Sequence, residues 1–269
     1  MLTPLKNSLR KIGWLTNVYR WWRDRNIAYG PAVKHPKGFL FVGPKAMQTG
    51  RFEPSETKFL LEYAADFDVF VNIGANCGYY VCMAKQLGLH VVAVEPHPLS
   101  FNPLLRNMDI NGWGDVEVFP VALSEKPGLL RLYGSGTGAS LLAGWAQNSR
   151  GKFITVPVST LDRILGGSLA NKRLLFWIDV EGAELQVLNG ALAQFDRVPS
   201  PVWVIEISIC DLQPTGTKVN PNLLETFKMF WSRGYRALNL DGGEISDELV
   251  KKWHSGQELI GGSNFVFRR

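Results

Sequence analysis

The sequence predicts an α/β domain built on a doubly wound, mostly parallel sheet, and three observations carry that expectation. The apolar run Val69-Phe70-Val71-Asn72-Ile73 passes directly into Gly74-Ala75-Asn76-Cys77-Gly78, as a buried strand entering a tight turn requires. A second apolar run, Val91-Val92-Ala93-Val94, ends on Glu95, 21 positions after Gly74. Beyond it, strand-like runs alternate with helical segments over short links, which is how parallel strands joined by crossover helices read in sequence.

From the start of the chain, Leu5, Leu9, Ile12, Leu15, Val18 and Trp22 recur at three- or four-residue steps, an amphipathic helical pattern. Lys6, Arg10, Lys11, Arg20, Arg23 and Arg25 lie between them. Such a stripe caps a core or a dimer partner. With Trp14, Trp21 and Trp22 beside the arginines, residues 1–25 also suit peripheral contact with an anionic membrane surface. Tyr29 to Phe52, rich in Gly and Pro around Phe39-Leu40-Phe41-Val42, reads as a small β-hairpin or lid, with loops able to cover a ligand. Glu56 to Ala65 has helical periodicity and leads into the first strand. The chain thus divides into an N-terminal extension, 1–55, and a main domain, 56–269.

After Glu95, a helix is expected over Pro98 to Ile110 and a third strand over Val116 to Pro120. A β-like insert follows: Leu129 to Tyr133, a Gly/Ser-rich loop at Gly134 to Ser140, and Ile154 to Val158. The core resumes with Thr160 to Leu165, a buried strand over Leu174 to Asp179 and a helix over Ala183 to Phe195. Val202 to Ile207, Leu223 to Trp231, Tyr235 to Leu240 and Asn264 to Phe267 supply the last strand, helix, strand and strand.

At 269 residues with 46% hydrophobic content, the chain suits one α/β domain with extensions and a substantial core. The net charge of +5 gathers in the first 25 positions, so no general nucleic-acid-binding face is implied. Cys77, Cys82 and Cys210 form no Cys-x-x-Cys pair, which argues against a disulfide framework or zinc site and makes a reducing cytoplasm the default. No apolar run reaches the length of a membrane span, and no secretory signal is expected.

Gly74 and Gly78 can take positive φ and admit a ligand close to the backbone. Their Gly-x-x-x-Gly spacing, without a third glycine, suits a nucleoside lacking a pyrophosphate. Glu95, at the tip of the second strand, can bind two adjacent ribose hydroxyls. Ligands in such sheets bind outside the carboxyl ends of the strands. There the chain places Asp179, Glu181, Glu184 and Glu206. Like charges so concentrated suggest proton abstraction from a hydroxyl, binding of a ligand ammonium, or a divalent cation of the magnesium or calcium class. Glu181 and Glu184 also read as first-turn residues favouring a helix dipole, and Asp162 as a cap or turn residue. Of the histidines, only His97 falls near the cofactor; His35, His90 and His254 read as surface or structural.

Together these segments resemble the FkbM family of S-adenosylmethionine-dependent methyltransferases. The resemblance is carried by Val71-Asn72-Ile73-Gly74-Ala75-Asn76-Cys77-Gly78, Val94-Glu95-Pro96-His97-Pro98, Asn107 and Asn111, and Gly138-Ala139-Ser140-Leu141. Val156 to Asp162, Ile178-Asp179-Val180-Glu181-Gly182-Ala183-Glu184 and Ile205-Glu206-Ile207 complete it, over about residues 66 to 210. It implies a Rossmann-like methyltransferase fold with a seven-stranded sheet. The implied activity is O-methylation of a hydroxyl on a sugar, glycan or natural product. The glycine loop, with Asn72, Gly74, Ala75, Asn76 and Gly78, would hold the methionine end of S-adenosylmethionine. Glu95 and Pro96 would hold the ribose, Ala122, on the strand after Val116, would lie near adenine, and Asp179 would border the cofactor. Asp179 or Glu181 would orient or deprotonate the acceptor, with Glu184 and Glu206 in support. Two departures stand out: the family commonly has Asp where this chain has Asn72, and Lys where it has Trp177.

Other classes fit less well. A nicotinamide-dependent oxidoreductase would want the third glycine and a Tyr-x-x-x-Lys pair, neither of which is present. A non-catalytic nucleoside-binding or membrane-peripheral protein stays in play, and a product assay separates it from an enzyme. An RNA methyltransferase would show aromatic residues interleaved with an extended basic groove.

Overall fold

The computed structural model describes residues 30–269, so the amphipathic stretch of residues 1–25 lies outside the described residues. The five residues Val69–Ile73 are all buried and form β3, an interior strand of a seven-stranded sheet. The others are β4 (His90–Val94), β5 (Glu117–Phe119), β9 (Leu174–Ile178), β10 (Val202–Ile207), β11 (Arg236–Asn239) and β12 (Ser263–Arg268). Their order is β11-β12-β10-β9-β3-β4-β5, and β12 alone runs against its neighbours. Chain order reverses between β3 and β9, the crevice at which such sheets bind ligands.

Alternation along the strands divides the core. Val69, Val71 and Ile73 join one cluster with Phe176, Ile178, Trp203 and Ile205. Against it pack α5 (Leu161–Leu165), α6 (Glu184–Asn189), α7 (Leu223–Trp231) and α8 (Asp247–His254), through residues such as Leu161, Val187, Phe227 and Trp253. Phe70, Leu175, Trp177 and Val204 face the other way, under α2 (Pro54–Tyr63), α3 (Tyr79–Gln86) and α4 (Pro98–Ile110). Two layers of helices on one sheet are thus the direct consequence of runs that are apolar at every position.

The described residues of the N-terminal extension form a hairpin of β1 (Val33–Lys34) and β2 (Leu40–Phe41), followed by the single turn α1 (Lys45–Gln48). It is fastened to α4 by two asparagines of the resemblance. Asn107, fully buried, accepts from Val42 N at 2.7 Å and donates to Val42 O at 2.9 Å and Cys77 O at 2.8 Å. Asn111 makes the matching pair of bonds to Leu40, each 2.8 Å.

The insert forms a three-stranded sheet of β6 (Ala122–Leu123), β7 (Gly128–Tyr133) and β8 (Phe153–Ser159), ordered β6-β8-β7. Ala122 therefore belongs to the insert sheet and not to the strand after Val116, which ends at Phe119. The expected helix from Ala183 to Phe195 is in fact α6 and a separate 3-10 turn, Leu192–Asp196. Gly190 is the residue that ends α6, at a position where a Cβ would overlap the Ser124 carbonyl oxygen. Helix α8 has no counterpart in the sequence reading, although Ser246 caps it and Asp247, Glu248, Lys251 and Lys252 complement its dipole. Cys77 and Cys82 are buried free thiols, as expected of small packing residues.

Replacing Asn107 by Ala would strand three buried backbone groups. Urea unfolding of Asn107→Ala is expected to show a loss of about 2–3 kcal/mol, with the amides of residues 39–42 exchanging faster. The more exposed Asn111→Ala should cost less, and equal losses would contradict the anchoring role.

Candidate active site

Strand β3 leaves the sheet at Gly74, whose φ of +85° is open to glycine and strained for other residues. Its position is also sterically required, since a Cβ would overlap the Asp179 carbonyl oxygen at the end of β9. The chain then turns through Asn76, itself at φ +50°, whose side chain accepts from Cys77 N at 2.7 Å. Gly78 caps α3 and lets Leu104 pack where a Cβ would stand. Of the two glycines, one meets the acidic turn and the other the neighbouring helix.

Glu95, buried at the end of β4, accepts Asn76 N and His97 N, each at 2.8 Å and each on a different carboxylate oxygen. Burial outweighs these two bonds and pushes its carboxyl up to about 7. A carboxylate has about four acceptor positions, so acceptor capacity remains on both oxygens. His97 supplies one of these amides and also caps α4 through Nδ1, 3.1 Å from Leu99 N.

One cleft gathers Gly74, Asn76, Glu95, Pro96, Ala122, Asp179 and Glu181 with the loop residues Gly136, Thr137 and Ala139. Ala75, Gly78 and Asn72 do not line it. Ala75 is packed in the core, and Asn72 is buried with its Nδ2 3.5 Å from Trp177 O. The Oδ1 of Asn72 has no donor in the protein. A second cavity of about 260 Å³ shares Asn76, Gly136 and Thr137 with the cleft. Pro44, Met47 and Phe52 wall it, so the N-terminal extension borders this region.

The acidic strand ends do converge. Asp179 interacts with Glu206, Glu181, Glu53 and Glu184, and burial together with these like charges raises its carboxyl well above the usual range. Burial lifts Glu181 to about 7 against a bond from the Trp145 indole N–H to Oε2 at 2.6 Å. Ser140 Oγ donates to the Glu181 carbonyl at 2.6 Å, and Trp145 occupies the space that a Cβ on Gly182 would fill. The insert is thereby clasped to the acidic turn. Glu184 is pushed up to about 8, first by burial, although Oε1 accepts Gly182 N at 2.8 Å. Burial and the charge of Glu56 raise Glu206. Among the described residues, no lysine or arginine forms an ion pair with these groups. Nor is any group of three or more His, Cys, Asp or Glu arranged to hold a metal ion among them.

Glu53 is a member of this cluster that the sequence analysis missed. It precedes Pro54 at the start of α2, at φ +41°, and accepts the Tyr80 hydroxyl at 2.5 Å. Burial pushes it up to about 7, and Glu206, Glu56 and Glu181 add to the rise. Nothing local in the sequence ties it to Asp179, which is 126 positions away. Asp162, by contrast, is structural: its oxygens accept Ala193 N and Gln194 Nε2.

The order of the large sheet and the glycine-to-acid crevice define a Rossmann-like methyltransferase fold. Residues 68–237 match the Methyltransferase FkbM domain, and the chain belongs to that family. It is 30% identical over 140 residues to the hexuronic acid methyltransferase AglP of Haloferax volcanii, across 52% of this chain and 56% of that one. The chain thus spans little more than half the length of this relative. Among solved structures, a putative O-methyltransferase from Klebsiella pneumoniae aligns at 11% identity over 80% of this chain and 79% of its own, with a TM-score of 0.45. An O-methyltransferase from Bacillus cereus, in complex with SAH, aligns at 12% identity over 80% of each chain, with a TM-score of 0.43. No helix among the described residues is long and apolar enough to cross a membrane.

The raised carboxyls have a consequence for stability. A group such as Glu184, near 4.5 when unfolded and about 8 when folded, favours the folded state below pH 4.5 and loses that contribution as the pH rises toward 8. The melting temperature of the ligand-free protein is expected to fall between pH 5 and 8. The slope should be shallower in Glu184→Gln, which keeps the bond to Gly182, and an unchanged slope would contradict the assignment.

Proposed function

We propose that the protein transfers a methyl group from S-adenosylmethionine to a hydroxyl oxygen of a sugar, glycan or related natural product. The observation that carries this reading is a single cleft with Glu95 and the Gly74 turn on one side and Asp179 and Glu181 on the other. Sugar as the acceptor class is supported by the 30% identity to a hexuronic acid methyltransferase.

The residues suit the donor. Glu95 retains acceptor capacity for the two ribose hydroxyls, and Gly74, Ala75 and Asn76 keep the turn beside it narrow. Pro96 and Ala122 present apolar surface to the nucleoside. Asn72 offers a buried oxygen still in need of a donor, which an ammonium supplies. When bound, the donor brings a methyl carbon already activated by its sulfonium and leaves as a neutral thioether.

The protein's own task is then alignment and proton removal. Asp179 or Glu181 accepts the acceptor hydroxyl's proton as the new oxygen–carbon bond forms. A carboxylate lifted to about 7, as Glu181 is, matches that role near neutral pH. Glu184 holds the turn that carries Glu181, and the like charge of Glu206 on β10 helps raise the Asp179 carboxyl. The Trp145 indole keeps one Glu181 oxygen fixed and leaves the other for the acceptor.

Calorimetry is expected to show binding of S-adenosylmethionine and its demethylated product but not of NAD. Glu95→Ala should weaken both by about tenfold or more, since it removes hydrogen bonds to a charged group. In a labelled-methyl assay on sugar acceptors, Asp179→Asn or Glu181→Gln should lower kcat by about 100-fold. Full turnover in both variants would reject the assignment of the base.

A further inference from the structure

The second cavity, about 260 Å³, differs in kind from the cleft it adjoins. Glu95, Asp179 and Glu181 line the cleft, whereas among the described residues no charged side chain lines the cavity. Its walls are Pro44, Ala46, Met47 and Phe52 from the N-terminal extension and Leu99 and Pro103 from α4. Cys77 adds a thiol that burial pushes up to about 12 and that donates to Met47 Sδ at 3.4 Å, so neither sulfur brings charge. The polar lining is Asn76, Ser100 and Thr137, and Asn76 Oδ1 already accepts Cys77 N.

These walls are fastened to one another within the protein. Asn107 donates both to Val42 O, two residues ahead of Pro44, and to Cys77 O in the turn before α3. Phe52 packs edge-on against Tyr79, with 5.4 Å between ring centroids. A space shaped in advance asks little ordering of the group that enters it. Asn76, Gly136 and Thr137 border both spaces, so one ligand can lie across the two. The group that reaches the cavity must be apolar, and the methyl donor has none to send: its charged groups and ribose match the cleft, and its base has Pro96 and Ala122 there. A free hexose also falls short, because an oxygen stands on every carbon.

We propose that the acceptor is a glycoside whose apolar aglycone, an aryl or short alkyl group, sits in this cavity while a sugar hydroxyl lies at Asp179 and Glu181. The inference rests on the methyl-transfer reading above and adds the part of the substrate that is not methylated. An apolar cavity of about 150 Å³ takes one benzene ring, so this one admits about ten non-hydrogen atoms.

The test supplies the full-length protein with isotopically labelled S-adenosylmethionine and with matched methyl and phenyl glycosides of glucose, galactose, mannose and glucuronic acid. For each sugar that takes label, the phenyl glycoside should show a KM about tenfold lower at unchanged kcat, as apolar burial away from the reacting atoms requires. Equal KM values within each pair overturn the proposal while leaving methyl transfer intact, and label in no glycoside overturns both. Ala46→Trp and Leu99→Trp, which narrow the cavity, should bring the ratio of the two KM values to about one with donor Kd unchanged. That ratio compares two substrates on one protein, so it does not depend on the fraction folded. A ratio that persists in both variants, or a donor Kd that rises in its place, would overturn the assignment of the cavity to the aglycone.

Discussion

The site depends on the contact between the turns that leave β3 and β9. Gly74 lies so close to the Asp179 carbonyl that no side chain fits between them, and Asp179 N returns a bond to Ile73 O at 3.0 Å. This approach sets the Gly74 loop and the acidic turn side by side, with no intervening residue. A glycine that local sequence assigns to ligand approach is thus equally a glycine that lets two pieces of backbone meet.

Around that contact the protein maintains a costly electrostatic arrangement. Carboxylates that would repel one another are held by rigid strand ends and by individual bonds from Trp145, Tyr80 and the Gly182 amide. At each group burial outweighs the hydrogen bonds, so these side chains hold protons near neutrality more firmly than ordinary carboxylates. That combination is poor for folding and well suited to exchanging a proton with a hydroxyl.

How much was legible in the sequence follows the range of the interactions. The strands with continuous apolar runs, Val69–Ile73 and Leu174–Ile178, and helices with clear periodicity, Pro98–Ile110 and Leu223–Trp231, stand close to where the pattern put them. Asp179, Glu181, Glu184 and Glu206 could be grouped because strand ends in a parallel sheet converge. Glu53 could not, since its partnership with them arises from the packing of α2 across the sheet. Gly190 was equally silent, because what requires glycine there is the Ser124 carbonyl, 66 positions away. Helix α8 shows the opposite case: its cap and charges were visible, but its short apolar face was not recognised.

The clasp of Trp145 and Ser140 on the Glu181 turn bears on how such a protein can diversify. Exchanging the whole tip of the β7–β8 hairpin would unfasten the turn, because both fastening points sit inside the 134–150 loop and not at its margins. A graft that discarded the indole and the hydroxyl would release the acid they steady. Recombination is therefore constrained at two residues of a segment that otherwise has latitude to vary.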